Sequence, residues 1–167
     1  MVEFLKIRNV KDPKREMGDC GIDVYVPEYS EEYLGDLKAK NPDLDITDLR
    51  ILVKPQESVL IPLGLKTKFE SSLALEAANK SGVATKKKLF VGASVIDSSY
   101  QGEIHAHFVN VGKEDQIIKY GEKVVQLIPR VIDYLAIGIT SGATADEFYK
   151  GEVTSRGEGG FGSTGDK

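Results

Sequence analysis

The sequence predicts an all-β fold, a barrel or a sandwich, carrying short helices and a glycine-rich C-terminal arm. Three observations lead there. Short runs rich in Val, Ile and Leu recur with turn residues between them. Helical periodicity is scarce along the chain. From about Thr154 apolar patterning stops altogether, which gives a β domain over residues 1–153 and an arm over residues 154–167.

Taken in order, the expected strands are Glu3 to Val10, Ile22 to Val26, Ile51 to Val53, Val59 to Leu63, Leu89 to Val95, Ile104 to Val111 and Val124 to Val131. The clearest helix is Ser30 to Lys40. Ser30 can cap it ahead of two glutamates, Tyr33, Leu34 and Leu37 share a face, and Asn41-Pro42-Asp43 ends it. Shorter helical turns are expected near Thr85 to Lys88, after Ser81-Gly82, and at Ala143 to Phe148. Lys86-Lys87-Lys88 reads as a solvated face.

With 167 residues, 41% hydrophobic and 29% charged, the chain can bury one sizeable core. A net charge of -4 offers no broad attraction to nucleic acid or to anionic membranes, so any phosphate must be gripped locally. No apolar run approaches a membrane span or a signal-peptide core, and a cytoplasmic location is the expectation. Cys20 is the one cysteine, which excludes an intrachain disulfide framework. His105 and His107, two residues apart, are expected on one face of a strand.

Polar residues interrupt the β pattern in a few places. In Asp19-Cys20-Gly21-Ile22-Asp23-Val24 a carboxylate opens a strand, either as a turn cap or facing a positive partner such as a hydrated magnesium ion. Asn79-Lys80-Ser81-Gly82 lines up N–H, O–H and ammonium donors that suit a phosphate. In Val91 to Ile104 an apolar strand runs into Asp97, then Ser98-Ser99-Tyr100, and a turn at Gly102 starts the next strand, a hairpin geometry. Asp97 there is either a general base, made more basic by partial desolvation, or the cap of the turn. Gln126 breaks the apolar strand after Gly121, and a buried amide must find partners. The tail, Arg156 to Lys167, combines a phosphate-gripping arginine, closely spaced glycines and one stacking ring, Phe161, which suggests a flap over a nucleotide rather than a plain Gly/Ser linker.

These five stretches, in this order, resemble the motifs of the trimeric dUTP nucleotidohydrolase (dUTPase) family: Ala-Gly-x-Asp-Leu, Pro-Arg-Ser-Gly-Leu-Ala, Gly-Val-Ile-Asp-x-Asp-Tyr-x-Gly, Arg-Ile-Ala-Gln-Leu and Arg-Gly-x-Gly-Gly-Phe-Gly-Ser-Thr-Gly. The matches run from Asp19 to Gly165, and the last motif is the most specific. The resemblance implies a jelly-roll β subunit in a homotrimer, with sites at subunit interfaces closed by the C-terminal arm. It implies cleavage of dUTP to dUMP and pyrophosphate with Mg²⁺, which limits uracil in DNA and supplies dUMP. By the same resemblance Asp97 would activate the attacking water and Tyr100 would pack under deoxyribose. Backbone groups at Gly102 and Ile104 would read uracil, while Lys80, Ser81, Gly82 and Gln126 would contact the substrate's phosphate side. Asp23 would hold a water of the Mg²⁺ ion. Arg156 would bind the γ-phosphate and Phe161 would cover uracil, with Gly162, Ser163 and Thr164 completing the substrate set.

The chain departs from the family pattern at several points. Asn79-Lys80 replaces Pro-Arg, which keeps the charge but loses the planar fork. Ser94 stands for a usual glycine, Ser99 for a common second aspartate, and residues 29–50 exceed the compact pattern. That insert is expected to be surface decoration or, less simply, a partner-binding element. A related dCTP deaminase would carry a glutamate where His107 stands, so deamination is disfavoured. A purely regulatory relative would have no reason to keep Asp97, Tyr100 and the arm together.

Overall fold

The computed structural model describes residues 1–47, 50–152 and 154. Its strands are β1 (Val2–Lys6), β2 (Ile22–Tyr25), β3 (Asp45–Thr47), β4 (Arg50–Val53), β5 (Ser58–Pro62), β6 (Leu65–Phe69), β7 (Leu73–Asn79), β8 (Leu89–Val91), β9 (Val95–Ile96), β10 (His105–Asn110), β11 (Gln116–Ile118) and β12 (Lys123–Val131). The helices are α1 (Glu31–Lys40), α2 (Ser81–Lys87) and α3 (Ala145–Tyr149). The expected all-β class is observed. Strands pair antiparallel in the orders β1-β6, β5-β10-β8, β11-β4-β3 and β2-β12-β7-β9.

Period-two patterning decides which faces meet. Along β10, Ala106, Phe108 and Asn110 are buried while the residues between them are half-exposed, so both histidines lie on the opposite face, as expected. In β12 the register slips between Lys123 and Val125, a bulge that lets both Val124 and Val125 enter the core. The buried Asn110 amide is satisfied by Val53 and Glu114 carbonyls and by the Gly112 N–H, so it closes the end of β10 without an orphaned polar group.

The insert belongs to this core and is not decoration. Ser30 caps α1 by accepting the Tyr33 N–H, and Glu31 and Glu32 favour the helix N-terminus while Lys38 and Lys40 favour its other end. Tyr33 and Leu37, one turn apart, are fully buried. Tyr33 Oη donates to the Pro62 carbonyl at 2.9 Å. Asn41 then acts as a one-residue strand along the free edge of β5: its amide donates to Leu60 O and accepts from Leu60 N–H, both at 2.8 Å. Leu37→Ala should therefore lower unfolding free energy by about 2–5 kcal/mol, the range for truncating a buried leucine. Urea denaturation measures this directly, and a change below about 0.5 kcal/mol would show the helix to be dispensable.

Other expectations need correction. The run Leu89 to Val95 is two strands, because β8 pairs with β10 whereas β9 crosses to β7. Segment 91–104 is accordingly a passage between sheets, not a simple hairpin. Gly92 permits the departure: a Cβ there would lie 2.2 Å from His107 Nδ1, which instead accepts the Ala93 N–H at 3.2 Å. Helix α2 starts earlier than expected, so Ser81 and Gly82 lie in its first turn. Lys87 is not simply solvated, since its ammonium holds the Ile117 carbonyl at 2.8 Å and pairs with Glu122.

The compact unit spans Met1–Asp133, and Tyr134–Lys167 forms a second. This division falls ahead of the Thr154 boundary read from composition. Within the second unit, α3 carries a complete capping box between Thr144 and Glu147. Among the described residues no helix is long and apolar enough to cross a membrane.

Candidate active site

The expected site residues fall into two clusters on the compact unit. The first surrounds a cavity of about 190 Å³ whose walls include Ser94, Ile96, Asp97, Tyr100, Ile104 and His105. Strand β9 ends at Ile96, and the chain then turns: the Tyr100 N–H donates to the Asp97 carbonyl at 3.1 Å. The backbone closes this turn, so the Asp97 side chain is not required as its cap. That carboxylate is exposed. The partial burial expected of it is not seen in this chain, because strand β9 ends at Ile96, one residue earlier.

Tyr100 folds back over Gly102, donating its phenol to the Glu103 carbonyl at 2.8 Å. A Cβ on residue 102 would lie 2.3 Å from the Tyr100 oxygen, so glycine is what lets the ring settle there. Ile104 differs from expectation. Its N–H donates to Leu65 O at 2.8 Å and its carbonyl accepts the Leu63 N–H at 2.9 Å, so its backbone is engaged in the fold and it lends the cavity a buried apolar side chain. His105 stands beside it. Burial foremost, with Lys40 nearby, lowers its pKa and favours neutral imidazole.

The second cluster gathers Asp23, Lys80 and Gln126. Strands β2 and β12 place Asp23 opposite Gln126, and the Gln126 amide donates to Asn79 O at 2.9 Å, tying β12 to the β7–α2 junction. Gly21 leaves room for that amide, since a Cβ there would sit 2.3 Å from Gln126 Oε1. Asp23 pairs with the Lys80 ammonium through one oxygen and with Lys123 Nζ through the other, at 2.8 Å. Partial burial alone would raise the Asp23 pKa, but the hydrogen bonds from Lys123 and Lys80 outweigh it and hold the carboxyl below the usual carboxylate range. Lys123 was missed in the sequence. Its signal was its place three residues before Gln126, where the resembling motif has arginine.

The clusters lie far apart. Asp97 follows Ile96, which faces Leu75 near the start of β7, whereas Lys80 follows Asn79 at the end of that strand. Strand rise and spacing put them on the order of 15–20 Å apart. Arg156, Phe161, Gly162, Ser163 and Thr164 lie outside the described residues.

The dUTPase family model matches residues 43–165. The chain belongs to the dUTPase family. A deoxyuridine 5'-triphosphate nucleotidohydrolase of Debaryomyces hansenii is 32% identical over 163 residues, covering 97% of this chain and 85% of the relative. One from Rickettsia felis is 35% identical over 144 residues, covering 84% and 88%. Among solved structures, a Staphylococcus bacteriophage 80alpha dUTPase with dUPNHPP superposes with a TM-score of 0.74 at 18% identity over 99% of both chains. The EIAV dUTPase gives 0.63 at 21% identity over 86% of this chain and 99% of that one. At those identities the structural likeness speaks for the dUTPase fold, while the sequence relatives carry the family assignment.

The donor set also bears on the metal expected of a dUTPase. Among the described residues no group of three or more His, Cys, Asp or Glu could hold an ion. In the second cluster both Asp23 oxygens are paired with ammonium groups, so Asp23 meets a hydrated cation through water only where one of those lysines turns to the triphosphate instead.

Proposed function

We propose that this chain is a dUTP diphosphatase whose active site is completed by another copy of itself, in a homotrimer. The observation that carries the proposal is the separation of the two clusters. On a single chain Lys80 and Gln126 stand a strand's length from the turn that carries Asp97 and Tyr100. A second copy bringing its own second cluster to the first removes that gap.

In the assembled site Asp97 takes the proton of a water whose oxygen attacks the α-phosphorus. The bond from that phosphorus to the bridging oxygen breaks, and pyrophosphate leaves with the bonding pair. Tyr100 supports the sugar and the cavity beside Ile104 and Gly102 receives the base. Lys80, Ser81, Gly82 and Gln126 serve the phosphate side, joined by Lys123. Asp23 would hold Mg²⁺ through water, and the ion would drain charge from the tetra-anionic triphosphate. From the arm, Arg156, Gly162, Ser163 and Thr164 would add phosphate contacts and Phe161 would cover the base, excluding water. A cytoplasmic site of action suits such a nucleotide enzyme. The insert's buried face leaves only its polar outer face for any protein partner.

Pyrophosphate release from dUTP, UTP, dCTP and dTTP with Mg²⁺ tests the activity: dUTP should be turned over far faster than the others, and equal turnover of dUTP and dCTP would remove the uracil assignment. Complementation tests the composite site. Asp97→Asn and Lys80→Ala chains, each poorly active alone, should recover activity when unfolded together and reassembled. Absence of recovery from a mixed assembly would mean that each chain builds its own site.

A further inference from the structure

The Glu103 carboxylate has no part in the chemistry assigned so far, yet it is held by three hydrogen bonds. Its side chain is 11% exposed and accepts both prongs of the Arg8 guanidinium, from Nε at 2.8 Å and from a terminal nitrogen at 2.9 Å. It also accepts the Gly64 N–H at 2.7 Å. Gly64 adopts φ +69°, a conformation suited to glycine, and a Cβ there would approach Arg8 Cβ to 3.0 Å. Arg8 is itself confined: its side chain is 14% exposed, its guanidinium lies 5.6 Å from the Tyr33 ring centroid, and it reaches Asp36 on α1 at 2.5 Å. Burial would raise the Glu103 pKa, but the bonds from Arg8 and Gly64 prevail and keep it ionised.

The same residue touches the site through its main chain, because its carbonyl is the acceptor for the Tyr100 phenol. Consecutive bonds fasten this stretch to the β5–β6 connection: Leu63 N–H to Ile104 O, Gly64 N–H to the Glu103 carboxylate, and Ile104 N–H to Leu65 O. A rotation of residue 103 that carried the Tyr100 acceptor away would have to break the Arg8 fork as well.

We propose that Glu103 is a positioning residue for substrate selection: clamped by Arg8 and Gly64, it fixes the Tyr100 ring against the sugar site, and the insert backs the clamp through Asp36. The clamp is read from geometry, while its consequence rests on the dUTP reading given above. Arg8 here is an extension of the fold from the first residues of the chain into the site, and Asp36 gives the insert a route to it.

The test compares Glu103→Gln, Arg8→Lys and Asp36→Asn with the unaltered protein. Each is measured for kcat/KM on dUTP and UTP, for binding of non-hydrolysable α,β-imido dUTP and UTP, and for urea stability. Glu103→Gln and Arg8→Lys, which lose the charged two-pronged fit, should each reduce the preference for the deoxy nucleotide by about tenfold, a scale set by small misplacements of a positioning group. Asp36→Asn, at the outer and more exposed end of the clamp, should reduce the preference less than the other two, by about threefold, and an unchanged preference would take the insert out of the clamp. Glu103→Gln and Arg8→Lys proteins that lose stability yet keep the full preference would make the clamp merely structural. Should Glu103→Gln not fold, Arg8→Lys decides alone. If the unaltered protein neither binds nor cleaves uridine nucleotides, the dUTP reading fails, and the clamp is then judged by a crystal structure of the Arg8→Lys protein. A Tyr100 ring displaced by about 1 Å or more supports it, and an unmoved ring rejects it.

Discussion

Asp97→Asn should lower kcat for dUTP by about 10²-fold or more, the usual cost of removing a general base, while nucleotide binding stays close to that of the unaltered chain. The substitution keeps the shape of the side chain and its capacity to hydrogen-bond a water, and removes its ability to take the proton. Binding should persist because the contacts proposed for base, sugar and phosphates belong to other residues. Stability should move by no more than about 0.5 kcal/mol, because Asp97 is exposed and its turn is closed by the backbone bond from Tyr100. Turnover under single-turnover conditions, with binding of a non-hydrolysable analogue measured in parallel, separates these effects. Near-normal turnover would take Asp97 out of the chemistry.

Spacing of turn residues and alternating apolar residues located the strands with strong Val/Ile/Leu character, such as β4, β5 and β12. It passed over β7, whose Leu-Ala-Leu-Glu-Ala-Ala-Asn sequence has low intrinsic strand preference and is a strand because β12 and β9 flank it. It likewise passed over β6, where lysines alternate with the buried Leu65 and the half-buried Thr67 and Phe69. Ser30, Tyr33 and Leu37 made α1 legible, because capping and one-turn spacing are local. That Tyr33 and Leu37 enter the core, making the insert structural, depends on partners distant in sequence. The same division holds at the site. Asp23, Lys80, Asp97, Tyr100 and Gln126 stood out as polar residues within or just beyond apolar runs, but their separation into two clusters follows from how β9 docks on β7. Lys123 and Glu103 looked like ordinary surface charges. Their partners set them apart, Asp23 in one case and Arg8 with Gly64 in the other, and for Lys123 the one local sign is its place three residues before Gln126.

Gly102→Ala should reduce kcat/KM for dUTP by about 10²-fold, the cost of displacing a positioned group by roughly an ångström, in a protein that remains folded. The added Cβ would meet Tyr100 Oη at 2.3 Å, Cζ at 2.4 Å and Cε2 at 2.8 Å, all closer than a real carbon can approach. What must yield is the far end of a side chain that is 43% exposed, so the ring can swing outward at little cost to the fold. Urea stability should fall by about 1 kcal/mol or less, comparable to the loss of the Tyr100 to Glu103 hydrogen bond. Tyr100→Phe supplies the needed contrast. It gives up that same bond but adds no atom that pushes the ring off Gly102, so its loss of activity should be the smaller of the two. Were Gly102→Ala to retain full kcat/KM, the position of the Tyr100 ring would not matter to turnover. Were it to unfold while Tyr100→Phe stayed intact, Gly102 would be serving the turn itself. The ordering expected here, a severe catalytic loss with a small stability loss, follows from an exposed ring resting on a residue that has no side chain to offer it.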